Sequence, residues 1–359
     1  MRIAYVCHYD AFLADGVVEK ISTQTAEWRL RGHGVEVFCL SPPAAGRRPA
    51  LAARVFPFAG LRQRIGATRK LDRAVRAHQP DCIYMRGDLY LPPLSAMLRS
   101  APSAVEINGD LNELRLDGRP RGAVWYARFS YAAMARSAGG LVFVTNEFAR
   151  SPIFQARGTP RVVIANGADA RRVSQLPAPR NERARVVMLV GAVLPWQGID
   201  KFLWLAEQMP EADFDLLGPS PGDLPAAPPA NVTMHGMLSA ADYEPILASC
   251  DVGIGQLALH RRQASENSPL KVRTYLLAGL PVILAYEDTD FLDEDPWYIL
   301  KISNTESNVR DELERIRSFV ESSRGRRAPR EELAARLGAA AKEAERLRFF
   351  ERLVAERRS

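Results

Sequence analysis

Residues 265–283 read SENSPLKVRTYLLAGLPVI, and the positions from Glu266 to Lys271 are of types that can do chemistry together. Ser268 suits a helix N-cap and Pro269 the first helical position. A helix starting there offers unpaired amides and a positive dipole end to an anion, and Lys271 adds a cation within the first turn. Glu266, just before that start, can accept hydrogen bonds from hydroxyl groups. Phosphate binding and polyol recognition would then lie side by side, which a sugar nucleotide requires. A structural helix with a surface Glu would use the same residue types, so the rest of the chain has to decide.

The elements that would position this segment alternate along the chain. RIAYVCHY is a short apolar run, followed by a loop at 10–16 and a helical pattern near 18–31 that stops at Gly32 and Gly34. VEVFCL, DCIYMRG, SAVEING, GGLVFVTN and RVVIANGA follow as further short apolar runs. After the polar, Pro-containing stretch 171–184, read as a linker, the pattern restarts with RVVMLVG, DFDLLGPSPG, VTMHGML, CDVGIGQL and GLPVILAY. Such alternation predicts α/β architecture with parallel sheets covered by helices on both faces. The expectation is two Rossmann-like, doubly wound domains, 1–170 and 185–337, facing a central cleft at the carboxyl ends of their strands. From Arg330 to Arg358 the apolar residues Leu333, Leu337, Ala340, Ala344, Leu347, Phe350 and Val354 keep helical spacing. They predict one long amphipathic helix whose end, about 338–359, crosses back to the first domain.

A chain of 359 residues exceeds one ordinary core, which agrees with two domains. With 47% apolar and 25% charged residues it has the composition of a soluble globular protein. No apolar run has the length to span a bilayer, and MRIAYVCHY lacks the h-region of a signal peptide, so the expected location is cytoplasmic. Cys7, Cys39, Cys82 and Cys250 are scattered without metal-ligand spacing and read as core residues in a reducing compartment. The charge is uneven: residues 1–175 carry a net +11 and the remainder −5. The excess is densest at 60–79, with six basic residues against one acid. That stretch is either an ordinary solvated face or a cationic one suited to an anionic membrane surface or a phosphate-bearing acceptor. It interleaves no aromatic residues for base stacking, so nucleic acid is not an expected partner.

The 265–283 segment resembles the signature of the retaining glycosyltransferases of family 4, which have the two-Rossmann architecture called GT-B. Their Glu-x7-Glu motif often contains SPLK and closes with AxGxPV; here the first Glu is Glu266, the SPLK is 268–271 and the closing AGLPVI is 278–283. The resemblance extends in order to the N-terminal MRIAYV, GVVEKI and LRGHGVEVF, to VVIANGADA, and to MLVGAVLPWQGIDKFL. It implies that Glu266 contacts the donor sugar as a catalytic residue, and that Asn267, Ser268, Pro269 and Leu270 present backbone to the diphosphate with Lys271 nearby. Thr274 occupies the slot of the second Glu, the ribose contact. His235 follows a strand where the family holds the nucleotide base, and Gly16 fits its Gly-containing first loop; for both, a purely structural role is the simpler alternative.

Several positions depart from the family pattern. Where it has an Arg and a Lys after the first strand of the second domain, this chain has Ala192 and Gln197, and Gln197 is expected to remain a donor contact in that slot. Asn108 stands where the family usually has a His, and the resemblance implies that it takes that catalytic place beside Glu266. The loss of two cations weakens diphosphate binding, because charge-assisted hydrogen bonds are the strong ones. Arg261, Arg262, Lys271 or Arg273 would compensate, or the donor differs; for Arg261 and Arg262 plain surface placement is an equal alternative. Arg86, Asn108, Asp110 and Glu113 line strand ends of the first domain and are read either as polar loop or as acceptor-binding residues.

The resemblance thus implies a metal-independent transferase moving a sugar from a nucleotide-sugar donor to an acceptor hydroxyl with retention, in glycan, polysaccharide or glycolipid biosynthesis. It needs no cofactor beyond the nucleotide-sugar co-substrate, and no metal site is expected at Asp288-Thr289-Asp290. The acceptor would be a lipid-linked glycan, met where the cytoplasmic protein lies peripheral to the inner face of the membrane through 60–79. The alternative is a catalytically degenerate GT-B protein that binds a ligand or partner, which Ala192, Gln197, Asn108 and Thr274 favour.

Overall fold

The computed structural model describes residues 1–44, 46–87, 91–109, 120–155, 158–173, 177–224 and 227–358. The chain divides into two compact units. Unit 1 holds Met1–Ala165 and Ala339–Ser359, and unit 2 holds Asn166–Gly338. The first unit therefore ends ahead of the polar stretch 171–184.

Unit 1 is built on seven parallel strands, β1 (Arg2–His8), β2 (Gly34–Ser41), β3 (Arg54–Pro57), β4 (Cys82–Arg86), β5 (Ser103–Ile107), β6 (Gly140–Phe143) and β7 (Arg161–Val163), in the order β3-β2-β1-β4-β5-β6-β7. Their near-continuous apolar runs are those of strands covered on both faces. Successive side chains of β1 serve two cores. Ala4 and Val6 pack with α2 (Leu61–Ala77), α3 (Pro92–Leu98) and α4 (Arg121–Ser137), while Ile3, Tyr5 and Cys7 pack with α1 (Gly16–Leu30). A short α5 (Asn146–Arg150), capped by Thr145, leads toward β7. All four cysteines are buried and none is in a disulfide.

Unit 2 has a six-stranded parallel sheet, β10-β9-β8-β11-β13-β15, and a two-stranded one, β12-β14. Its elements are β8 (Arg185–Leu189), α6 (Ile199–Gln208), β9 (Asp213–Leu217), β10 (Val232–Gly236), α7 (Ala240–Ser249), β11 (Val252–Ile254), β12 (Glu266–Asn267), α8 (Leu270–Ala278), β13 (Val282–Leu284), β14 (Glu287–Asp288), β15 (Ile299–Lys301), α9 (Asn308–Asp311), α10 (Leu313–Ser323) and α11 (Arg330–Leu337).

The long terminal helix expected from Arg330 onward is in fact two. The helix α11 ends at Leu337, and α12 (Ala339–Arg358) begins after Gly338. A Cβ on Gly338 would stand 2.3 Å from the carbonyl oxygen of Ala334, so this turn admits glycine. Beyond it α12 packs on unit 1, where Phe350 meets Trp28 and Tyr84 with ring centroids 5.3 and 5.2 Å apart. The indole nitrogen of Trp28 donates to Glu343 (2.8 Å), satisfying a polar atom inside this aromatic cluster.

Candidate functional site

Glu266 lies on the two-residue strand β12, 6% exposed and paired in parallel with β14. The strand delivers the chain into α8, whose first residue is Leu270. Ser268 is not its cap, contrary to the sequence expectation. Pro269 takes the capping position, and the Ser268 hydroxyl accepts from the backbone N–H of Asn166 (2.8 Å). The Asn166 side chain in turn donates to the Ser268 carbonyl (2.6 Å), so the segment is pinned from outside its own helix. Asn267 donates through its side-chain amide to buried Gln256 and accepts from the Ser268 N–H (2.8 Å). The first-turn amides of Leu270 and Lys271 lack an intrahelical carbonyl partner, which leaves a partial positive charge at this helix start.

Lys271 projects from that first turn, and its ammonium donates to Oε1 of Gln197 (2.9 Å). Among the described residues no carboxylate pairs with it. Burial pushes its pKa down to about 7. Gln197 sits in a short 3₁₀ turn, Pro195–Gln197, followed by Gly198 at φ +75. Ala192 is exposed on the loop before it.

The other cations considered as substitutes for the missing pair are differently placed. Arg273 is fully buried and held by Asp288 (2.8 Å from one carboxylate oxygen), Asp290 (2.7 Å) and the Asn166 carbonyl (3.0 Å). It closes a structural ion network and is no substitute; the same contacts account for Asp288 and Asp290. Arg261 is clamped by Asp200 (2.7 Å) and Glu306 and is likewise engaged. Arg262 is buried, with its guanidinium 6.0 Å from the centre of the Trp196 ring. Of these four cations, Lys271 is the one that lies in the first turn of α8. The hydroxyl of Thr274 donates back to the Leu270 carbonyl (3.2 Å), which leaves its oxygen as an acceptor. His235, at the end of β10, is fixed by Asp215 (2.7 Å), which Arg185 also grips with two 2.9 Å bonds.

In unit 1 the strand ends carry a different chemistry. The Glu106 carboxylate on β5 is fully buried, 3.0 Å from Lys20, 3.3 Å from Arg346 and 3.9 Å from Arg86. Asn108 donates to Glu106 (2.8 Å) and accepts from Lys20 (2.6 Å). Burial would raise the Glu106 carboxyl, but the three cations and the Asn108 bond outweigh it and hold it far below the usual carboxylate range. Burial likewise pushes Lys20 down to about 8 against the pull of Glu106. Arg86 and Asn108 thus meet at one carboxylate that sequence reasoning passed over. Its only signal was a charged residue inside the apolar run SAVEI. Gly16 opens α1, just after Asp15, whose carboxylate caps the amides of Val17 and Val18. Asp110 and Glu113 lie outside the described residues. Among the described residues no group of three or more His, Cys, Asp or Glu side chains is arranged to hold a metal.

Residues 15–167 match the glycosyl transferase 4-like domain. The chain carries a glycosyltransferase domain. No curated protein matches its sequence. Among solved structures it is similar to the sucrose-phosphate synthase of Thermosynechococcus elongatus, with TM-score 0.68 and 12% identity over 99% of this chain and 100% of that one. It is also similar to Anabaena HepE in complex with UDP (TM-score 0.64, 13% identity, 98% and 100% covered). A third is an α-glucosyltransferase in complex with UDP-glucose and DNA containing an abasic site (0.65, 13%, 98% and 99%). At these identities the likeness is one of fold, and that fold is GT-B. Domain and fold together are those of a glycosyltransferase.

Proposed function

We propose that this chain moves a sugar from a nucleotide-sugar donor to an acceptor hydroxyl, with retention and without a metal, in glycan, polysaccharide or glycolipid biosynthesis. The observation that carries this reading is Lys271, an ammonium without a carboxylate partner among the described residues, at a helix start, five residues after buried Glu266. Solved structures of the same fold hold UDP and UDP-glucose, which supports a nucleotide sugar as the donor class. In the proposed step the bond from the sugar's anomeric carbon to the diphosphate breaks and one to the acceptor oxygen forms on the same face. The acceptor proton passes to the departing phosphate oxygen. The amides of Leu270 and Lys271 and the Lys271 ammonium stabilise the charge that develops on the diphosphate, while Glu266 orients the sugar through its hydroxyls. Asn267, Ser268 and Pro269 shape the approach to the helix start, Thr274 accepts from a ribose hydroxyl, and His235 borders the base. Arg86 and Asn108, with Asp110 and Glu113, serve the acceptor, a lipid-linked glycan reached by peripheral contact of 60–79 with an anionic membrane.

A second reading is a degenerate GT-B protein that binds without turnover. It is favoured by Gln197, which occupies the Lys271 ammonium where the family has a cation, and by the Thr274 hydroxyl turned onto its own helix. Calorimetric titration with UDP, GDP, ADP, dTDP and CMP in the presence of EDTA separates the two. A transferase prefers one nucleotide, and Lys271→Ala weakens that one by roughly ten- to a hundredfold. It also hydrolyses the corresponding sugar nucleotide slowly, and Glu266→Ala abolishes this while nucleotide binding persists. Silence toward all five nucleotides in folded protein overturns the transferase reading.

A further inference from the structure

The helices that cover the two faces of the unit 1 sheet differ in charge. On one face α2, α3 and α4 carry nine Arg and Lys between them against the single acid Asp72. On the other, α1 and α12 are nearly balanced, with eight basic and six acidic residues. The cationic layer is also the one with exposed aromatic surface. On α4, which contains no acid, Trp125 is 70% and Phe129 43% exposed, with their rings stacked at 6.3 Å, and Tyr126 lies beside them. Arg121 and Arg128 flank them and are exposed as well. On α2 the exposed residues include Leu61, Arg62, Arg69, Lys70 and Arg73.

Topology puts these features along one rim. Both α2 and α4 run back toward the amino ends of β4 and β6, which follow them closely in sequence. Their first turns, with Leu61 and Arg62 on one and Trp125 and Tyr126 on the other, therefore stand at the carboxyl edge of the sheet. That is the edge where Arg86 and Asn108 lie. The rings of Trp125 and Tyr126, apolar in body and polar at the tip, suit the boundary between headgroups and acyl chains when set among arginines, and Phe129 adds a wholly apolar ring beside them. Cations alone, as on 60–79, hold a protein near anionic lipid but do not fix its depth or orientation.

We propose that the α2–α4 layer of unit 1 docks on an anionic lipid bilayer, with Trp125 and Phe129 inserted at the interface as anchors and the basic residues of α2 and α4 bound to lipid headgroups. This deepens the membrane contact put forward above and rests on it, but not on the donor chemistry. Docked in this way, the protein turns the carboxyl edge bearing Arg86 and Asn108 toward a membrane-borne acceptor. The occupant is argued from charge: a face with one acid among its three helices is complementary to a uniformly anionic surface, and a second copy of the same cationic face would repel it.

The full chain is tested by flotation with phosphatidylcholine vesicles, with and without phosphatidylglycerol. The wild type is expected to bind the anionic vesicles and not the neutral ones. Trp125→Ser combined with Phe129→Ser lowers partitioning roughly tenfold or more. Arg69→Glu with Lys70→Glu and Arg73→Glu does the same, while both variants keep the wild-type unfolding temperature. Trp125→Phe retains binding but loses most of the tryptophan quenching by lipids brominated on their acyl chains. Equal binding by the wild type and the aromatic double variant, undiminished quenching in Trp125→Phe, or a solution dimer dissolved by the double variant would each overturn the proposal. Nucleotide titration in solution is independent of vesicles, so failure here is distinguishable from failure of the glycosyl-transfer reading.

Discussion

Lys271 lets the donor chemistry be read through pH. Its pKa lies at about 7 against an ordinary 10.5, so between those values the unfolded chain holds a proton that the folded chain has released. Its unfavourable contribution to stability is complete below about pH 7 and is relieved as the pH rises toward the ordinary lysine range. A bound diphosphate reverses the balance by favouring the ammonium. Nucleotide affinity should therefore fall by up to about tenfold per unit between roughly pH 7 and pH 9, with net proton uptake on binding. Calorimetry in two buffers of different ionisation enthalpy measures that uptake, and Lys271→Met should abolish it. At Glu106 the prediction concerns stability. Glu106→Gln leaves Lys20 and Arg346 buried without their shared carboxylate and should cost about 3–5 kcal/mol by denaturant unfolding. These two residues mark the limit of legibility at this scale. Glu266 to Lys271 stood out because adjacent residue types imply a local helix start. The ties of Arg273 to Asp288 and of Arg346 to Glu106 join positions distant in sequence, and only the folded chain reveals which cations are already engaged.

Elements were more legible than residues. A parallel strand covered on both faces must be apolar almost throughout, so β1, β4, β5 and β8 announce themselves without an alternating pattern. Element ends were less legible. Ser268 and Pro269 form a conventional helix start on local grounds, yet the helix begins one residue later because the Ser268 hydroxyl is taken by Asn166. The turn before α6 offers a test of how element geometry reaches the site. Gly198 holds φ +75, and a Cβ there would lie 2.8 Å from Cβ of Leu257. Gly198→Ala should cost about 1–3 kcal/mol and move neighbouring Gln197 off the Lys271 ammonium, so the unfolding temperature falls and nucleotide affinity changes with it. Gly191, on the same loop with nothing near its Cβ position, should tolerate alanine in both assays.

At the scale of the whole molecule, the last twenty residues described belong to the unit that the first residues build. Leu347, Phe350, Leu353 and Val354 of α12 are buried in the same core as Ile3, Tyr5 and Trp28. Arg346 completes the charge set around Glu106. At about 1.5–3 kcal/mol for each buried side chain, those four contribute roughly 6–12 kcal/mol to unit 1. That is comparable to the whole stability of an ordinary domain. A chain ended after Gly338 should therefore lose amide protection selectively in β1, β4 and β5. Strands β8, β9 and β11 form a sheet and cores made within Asn166–Gly338, and they should keep theirs. Hydrogen exchange read by mass spectrometry, peptide by peptide, measures the contrast directly. Equal loss in both units would mean that they unfold as one cooperative block. Retained protection in β1 would mean that α1 and the α2–α4 layer hold the first sheet without it, and that the buried apolar face of α12 adds far less than its area implies.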